Sequence, residues 1–260
     1  MQVSFFSRHP IATFVALVFP LSWYSWLLGI ADRIGSTGLN PLGPLAAAFI
    51  TCWLVGGWSR IKQWLAQFVR FRCGLWPLFA AIAIPIVLSG AAVAANVALG
   101  APTPTLEQLA TWPNMIGQFV FILLFIGLGE ETGWRGFLQP ELQKRFHPFA
   151  AALVLSLIWA AWHAPLFRAE IGPALWAPFL IGIVAAAFVL GWLRNVSQSV
   201  LAPIICHAMV NTVGAGWAFQ FFDGASLTRL WWINAGIWLG AGLLLAAVTG
   251  FRLGAPRDAQ

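Results

Sequence analysis

Two adjacent glutamates, Glu130 and Glu131, stand at the end of the uncharged run FVFILLFIGL and open the stretch EETGWR. Arg135 lies four residues beyond Glu131. On a helix those two share a face, with the acid N-terminal to the base, which is the favourable order for an ion pair. Glu130 points about 100° away. At five residues its approach to Arg135 is poorer, so it needs another partner. One carboxylate therefore reads as neutralised and structural, the other as free for chemistry. Two further apolar stretches carry polar side chains at i, i+4: Trp159 and His163 in WAAWHAP, and His207 and Asn211 in HAMVN. Either pair alone reads as an interhelical hydrogen bond worth about 1 kcal/mol. Together with an unpaired glutamate they supply a base, two imidazoles and an amide.

Those groups fit hydrolysis of an acyl bond. Glu130, in a poorly hydrated site, suits a general base near neutral pH, with His163 sharing the polarisation of a water molecule. His207, through a ring N–H, and Asn211, through its amide, can donate to an oxyanion. No Ser or Cys nucleophile is evident. G-x-S-x-G is absent, and Ser156 has no clear base and orienting partner.

The surroundings of these residues are apolar throughout. The 260 residues are 60% hydrophobic and 8% charged, with 16 Trp and a mean hydropathy of +0.82. That composition excludes an ordinary soluble domain. Uncharged stretches of about 18 residues or more read as membrane spans. Eight are expected, over 10–30, 40–58, 75–99, 113–138, 148–166, 174–193, 199–221 and 230–250, giving an all-α polytopic membrane protein with one transmembrane domain over 1–260. With the N-terminus in the cytoplasm, Arg8, Arg60, Lys62, Arg70, Arg72, Arg135, Lys144, Arg145, Arg194, Arg252 and Arg257 fall inside, and Arg33, Arg168 and Arg229 fall outside. The positive-inside rule thus puts both termini in the cytoplasm. The net charge of +6 is then topogenic, and no nucleic-acid partner is expected.

Other features have plainer readings. Cys52, Cys73 and Cys206 form neither a disulfide framework nor a metal knuckle, and Cys206 and His207 diverge as helical neighbours. Residues 59–74 read as an amphipathic helix on the cytoplasmic membrane surface, with Ile61, Trp64, Leu65, Phe68, Val69 and Phe71 at helical spacing. Trp58, Trp76, Trp112, Trp176, Trp192, Trp231 and Trp232 lie near span ends and suit the headgroup zone. The first apolar run is long enough to be a retained helix rather than a signal peptide. The terminal RDAQ carries no Cys and cannot itself be prenylated.

The three stretches also resemble a known set of motifs. EETGWR resembles EExxxR, WAAWH resembles FxxxH and HAMVN resembles HxxxN, the three motifs of the CAAX-protease and bacteriocin-processing family that includes the Rce1-type prenyl-protein endopeptidases. Order, internal spacing and placement on separate spans agree, over roughly residues 110–215. The resemblance implies an eight-helix intramembrane glutamate protease in which Glu130 activates water, His163 orients it, and His207 with Asn211 forms the oxyanion hole. Glu131, Arg135 and Trp159 would be supporting residues. Trp159 stands where the family usually has Phe, and its bulkier ring is expected to reshape the substrate groove. The implied partners are membrane lipids and a protein or peptide substrate, prenylated or otherwise membrane-associated. No cofactor is expected, and a bacterial host would place the protein in its inner membrane.

Two rival readings follow from the same residues. Glu130, His163 and His207 could instead bind zinc around an open position, although HExxH is absent and Asn211 then lacks a ground-state role. A non-enzymatic scaffold or proton-coupled transporter would also hold Glu and His in the membrane. A transporter would tend to show an internal repeat with broken helices. No repeat is visible, though Pro85, Pro178 and Pro203 could break spans. Depth poses a difficulty for any joint site. At 1.5 Å per residue, Glu130 lies about 12 Å from the inner end of its span, whereas His163 lies about 22 Å from Pro148. The stretch QPELQKRFHPF is therefore expected to bend or lie along the surface, which would make His163 shallower.

Overall fold

A computed structural model describes residues 5–68, 73–169 and 171–256. Every regular element among them is helical. The eight principal helices are α1 (Pro10–Leu27), α2 (Gly43–Leu65), α3 (Leu75–Ala98), α4 (Asn114–Gln143), α5 (Pro148–Trp162), α6 (Pro173–Ser197), α7 (Leu201–Phe221) and α8 (Gly224–Val248), with short helical turns between them. Among the described residues, six are long and apolar enough to cross a membrane: α1, α3, α4, α6, α7 and α8. The chain is an integral membrane protein. Helix α5 is apolar but only 15 residues long. Helix α2 is interrupted at Gly56 and Gly57, where Gly57 takes φ 58°, a conformation L side chains rarely adopt.

The Gly56–Gly57 break revises the expectation for 59–74. The limb after the kink is the end of α2, and it turns its apolar face inward. Ile61 and Trp64 are buried, and the Trp64 indole N–H donates to the Thr132 carbonyl at 3.2 Å. Val69 and Phe71 of that stretch lie outside the described residues, as do Arg70, Arg72, Arg257 and the end of RDAQ. The prolines also behave differently from the expectation. Pro85 and Pro178 sit inside α3 and α6, which continue through them, and Pro203 sits in the first turn of α7.

Helix α2 packs between α1 and α4, α5 lies on α6, α6 runs along α8, and α7 meets α3 and α4. The basic residues gather at one end. Arg145 donates to the Arg8 carbonyl, Arg60 and Lys144 share Glu141, and Arg194 donates to Gln67. At the other end Arg168 pairs with Asp32, while Arg229 donates to Asn96 and ties α8 to α3. The exposed rings of Trp58, Trp76, Trp112, Trp176 and Trp232 lie on the periphery, as headgroup anchors would.

The core around α4 is aromatic. Phe14 stacks on Phe137 and meets Trp134 edge-on, and Trp134 in turn meets Trp162 edge-on. Close packing of α4 on the start of α2 depends on glycine. A Cβ on Gly129 would lie 2.6 Å from the Pro41 carbonyl oxygen, and one on Gly133 would lie 2.5 Å from that of Pro44. Both obstacles are backbone and cannot rotate away. Gly133→Ala is therefore expected to cost about 1–3 kcal/mol of stability, read as a lowered unfolding midpoint in detergent. Gly117→Ala, where nothing lies within 4 Å of the added Cβ, should be neutral or stabilising by up to about 1 kcal/mol.

Candidate active site

Helix α4 changes its hydrogen-bonding period on both sides of the glutamates. Residues Ile122–Gly127 and Trp134–Leu138 form π-helical turns around the α-helical segment Leu128–Gly133. Such turns are rare and recur at functional sites. The expected i, i+4 pair is present and crosses from the α-helical segment, which holds Glu131, into the second π-helical turn, which holds Arg135. The Arg135 guanidinium donates from Nη1 to Glu131 Oε1 at 2.8 Å, with both side chains 0% exposed. Arg135 does not reach Glu130. Its guanidinium carbon instead lies 4.4 Å from the centre of the Trp159 ring, in cation–π position.

Two contacts bring the other motifs to this pair. His207, on α7, places Nδ1 2.7 Å from the same Glu131 Oε1. Trp159, on α5, donates its indole N–H to Glu130 Oε2 at 2.9 Å. The Trp159 ring also meets His163 and His207, with centroids 5.5 and 5.6 Å away. His163 caps the C-terminus of α5, and its Nδ1 lies 2.7 Å from the Trp159 carbonyl. A carbonyl can only accept, so Nδ1 carries the hydrogen and Nε2 of a neutral ring is left as an acceptor. Phe179 and Trp162 pack edge-on against that ring.

The structure thus gathers Glu130, Glu131, Arg135, Trp159, His163 and His207 from α4, α5 and α7. Asn211 lies one turn beyond His207, at the start of the π-helical turn Val210–Ala215, half-buried and without a side-chain hydrogen bond among the described residues. The α-helical count of four from His207 to Asn211 therefore crosses into a different period. Ser156 is spent on the Leu153 carbonyl. All three cysteines are buried free thiols. Among the described residues no group of three or more His, Cys, Asp or Glu could hold a metal ion.

The depth difficulty resolves differently from the expectation. The stretch beginning QPELQ does not bend away, because Gln139–Gln143 prolongs α4 before a short turn leads into α5. Glu130 therefore lies 13 residues from the end of its helix at Gln143, about 20 Å, close to the roughly 22 Å of His163 from Pro148. His207 is nearer the start of α7. The turn before α7 is itself buried, however, with Ser199 and Val200 1% and 0% exposed.

Two roles escape a reading of the sequence. Trp159 is more than a packing ring, since it holds Glu130. The signal was available, because Trp in place of Phe adds one N–H donor on the face that carries His163. Glu131 also holds His207 as well as Arg135, a contact across 76 positions that no local pattern announces.

In this all-helical membrane protein, buried glutamates and two histidines meet between three helices. Residues 112–213, from just before α4 into α7, match the family described as type II CAAX prenyl endopeptidase, Rce1-like. That match covers the segment that carries all three motifs, and it is a similarity of this segment to the family. A similar protein is CAAX prenyl protease 2 of Methanococcus maripaludis, 31% identical over 103 residues, a match covering 35% of this chain and 38% of that relative.

The buried pair sets a stability prediction. Arg135→Met would leave Glu131 with His207 alone and is expected to cost about 3–5 kcal/mol, measured by unfolding in detergent. Adding Glu131→Gln should restore part of that loss, because the uncompensated charge goes with it.

Proposed function

We propose that this protein is an intramembrane endopeptidase that hydrolyses a peptide bond with water activated by Glu130. The observation that carries the reading is the uneven burial of the cluster. Glu131 and Arg135 are 0% exposed and paired with each other, whereas Glu130, His163 and His207 keep 4%, 8% and 6% of their surface. Glu130 Oε2 is fixed by Trp159, and Oε1 has no protein partner among the described residues, so it is the oxygen left to take a proton.

In this mechanism Glu130 Oε1 removes a proton from a water molecule that also donates to His163 Nε2. The water oxygen bonds to the carbonyl carbon of the scissile peptide, whose oxygen becomes an oxyanion. Glu130 returns the proton to the departing nitrogen as the C–N bond breaks, leaving a carboxylic acid and an amine. Since Nδ1 of His207 is committed to Glu131, His207 can donate to the oxyanion only through Nε2. That requires the doubly protonated ring, for which the Glu131 carboxylate is the counter-charge. The Asn211 amide would be the second donor. No step requires a metal ion.

The substrate class follows from the family that residues 112–213 match and from the Methanococcus maripaludis relative. It is a prenylated protein with a CAAX-type C-terminus, or another membrane-associated peptide, cleaved in the inner membrane if the host is bacterial. The test is cleavage by purified protein in liposomes of farnesylated and plain peptides, with and without a zinc chelator. Glu130→Gln is expected to lower the rate of cleavage by about 10²–10⁴, and Asn211→Ala to lower kcat by about 10²–10³, with the chelator without effect. Cleavage that survives in Glu130→Gln would overturn the proposal, and cleavage lost to the chelator would replace it with a metal mechanism.

A further inference from the structure

We propose that Gln67 is a positioning residue for the two glutamates: its side chain, with that of Arg194, replaces backbone bonds that Pro140 cannot make in the helix that carries them. Proline has no N–H, so a carbonyl one turn before it loses its donor. Pro140 lies four residues beyond Gly136, the α-helical distance, and five beyond Arg135, the π-helical distance. The α-helical donor for Arg135 would be the Gln139 N–H, but that N–H donates to the Trp134 carbonyl instead. Two side chains take over. Gln67 donates from its amide to the Gly136 carbonyl at 3.1 Å, and Arg194 donates from Nε to the Arg135 carbonyl at 3.2 Å. Arg194 also donates from Nη2 to Gln67 Oε1 at 2.7 Å, so one amide couples the two bonds. Gln67, Gly136, Pro140 and Arg194 line a common cavity.

Gln67 reaches this turn because α2 breaks at Gly56 and Gly57 and its last limb lies on α4. Trp64 of that limb donates to the Thr132 carbonyl at 3.2 Å, and the Gln67 amide donates to the Trp64 carbonyl at 3.2 Å as well as to Gly136. The carbonyls of Thr132, Arg135 and Gly136 are thus all bonded by side chains of the limb or of α6. The effect reaches the glutamates through Arg135. Its backbone sits in the braced π-helical turn, while its guanidinium pairs with Glu131 and lies over Trp159, which donates to Glu130. A change of period in that turn would rotate Arg135 about the helix axis relative to both carboxylates. The brace is independent of the proteolytic reading, whereas its consequence for turnover rests on that reading.

The experiment joins a double-mutant cycle on unfolding of the purified full chain in detergent to peptide cleavage in liposomes. Gln67→Met keeps the length of the side chain and loses the amide. It is expected to lower the unfolding midpoint by about 2–4 °C. In a Pro140→Ala background, where position 140 regains an N–H, that loss should fall to about half or less. Well below the midpoint, Gln67→Met is expected to lower kcat about tenfold or more while KM stays within about twofold. Thr249→Val, which removes a side-chain bond to the Leu245 carbonyl at the end of α8, should keep the wild-type kcat. Gln67→Glu retains the acceptor for Arg194 but not the donor to Gly136, and it carries the same expectations if Gln67→Met fails to fold. Equal losses of midpoint in the two backgrounds would overturn the brace. Coupled losses with unchanged kcat, in a wild type that cleaves, would overturn the positioning role. A wild type that cleaves no peptide would count against the proteolytic reading, and the cycle would then decide the brace alone.

Discussion

A carboxylate with no exposed surface cannot stand alone in a membrane protein, and Glu131 is such a carboxylate. Its charge is met from its own helix by Arg135 and from α7 by His207, both on the same oxygen. The guanidinium that serves it lies over the Trp159 ring, and the same ring donates to Glu130. Neutralising one glutamate therefore aligns the other. The arrangement is not fully satisfied, since Glu131 Oε2 and Arg135 Nε and Nη2 are buried without hydrogen bonds among the described residues. Such groups normally cost stability, and here that cost accompanies a fixed geometry.

Backbone packing keeps the glutamates in place along the helix axis. Gly129 and Gly133 bracket them and let α4 touch the chain at Pro41 and Pro44 directly. Backbone contact of that kind replaces the missing hydrophobic drive between helices in lipid. Further along, the Gln139 amide donates to the Gly191 carbonyl and to Asn195, and Asn195 donates to the Leu253 carbonyl. The end of α4, the end of α6 and the segment after α8 are joined through these side chains. Helix α4 is thus held on its small-residue side by packing and on its polar side by amides.

Local spacing made much of the site legible. Glu131 with Arg135, and Trp159 with His163, were readable because each pair lies within one turn of a single helix. Helical character followed from apolar length alone. The depth of Glu130 was not legible, because hydropathy falls at Gln139 and Glu141 and so marks an apparent span end. Both residues are buried nonetheless, Gln139 by α6 and Glu141 by Arg60 and Lys144. Polar side chains satisfied by distant partners look like loop in one dimension. The link from Glu131 to His207 was hidden for the same reason. The burial of Ile61 and Trp64 within 59–74 was not legible, because an amphipathic pattern does not say whether its apolar side meets lipid or protein.

The two π-helical turns of α4 carry a consequence for comparing this helix with others. A turn closed from i to i+5 holds one residue more than the α-helical turn it replaces, so each is a place where the helix has absorbed an extra residue. A homologous helix without such a turn would align with this one only through a single-residue gap within 122–127 or 134–138. Placed elsewhere, the gap would set the two glutamates about 100° out of phase with the faces before or after them. Phase, rather than residue identity, is then what separates a homologue able to build this cluster from one that merely spells it.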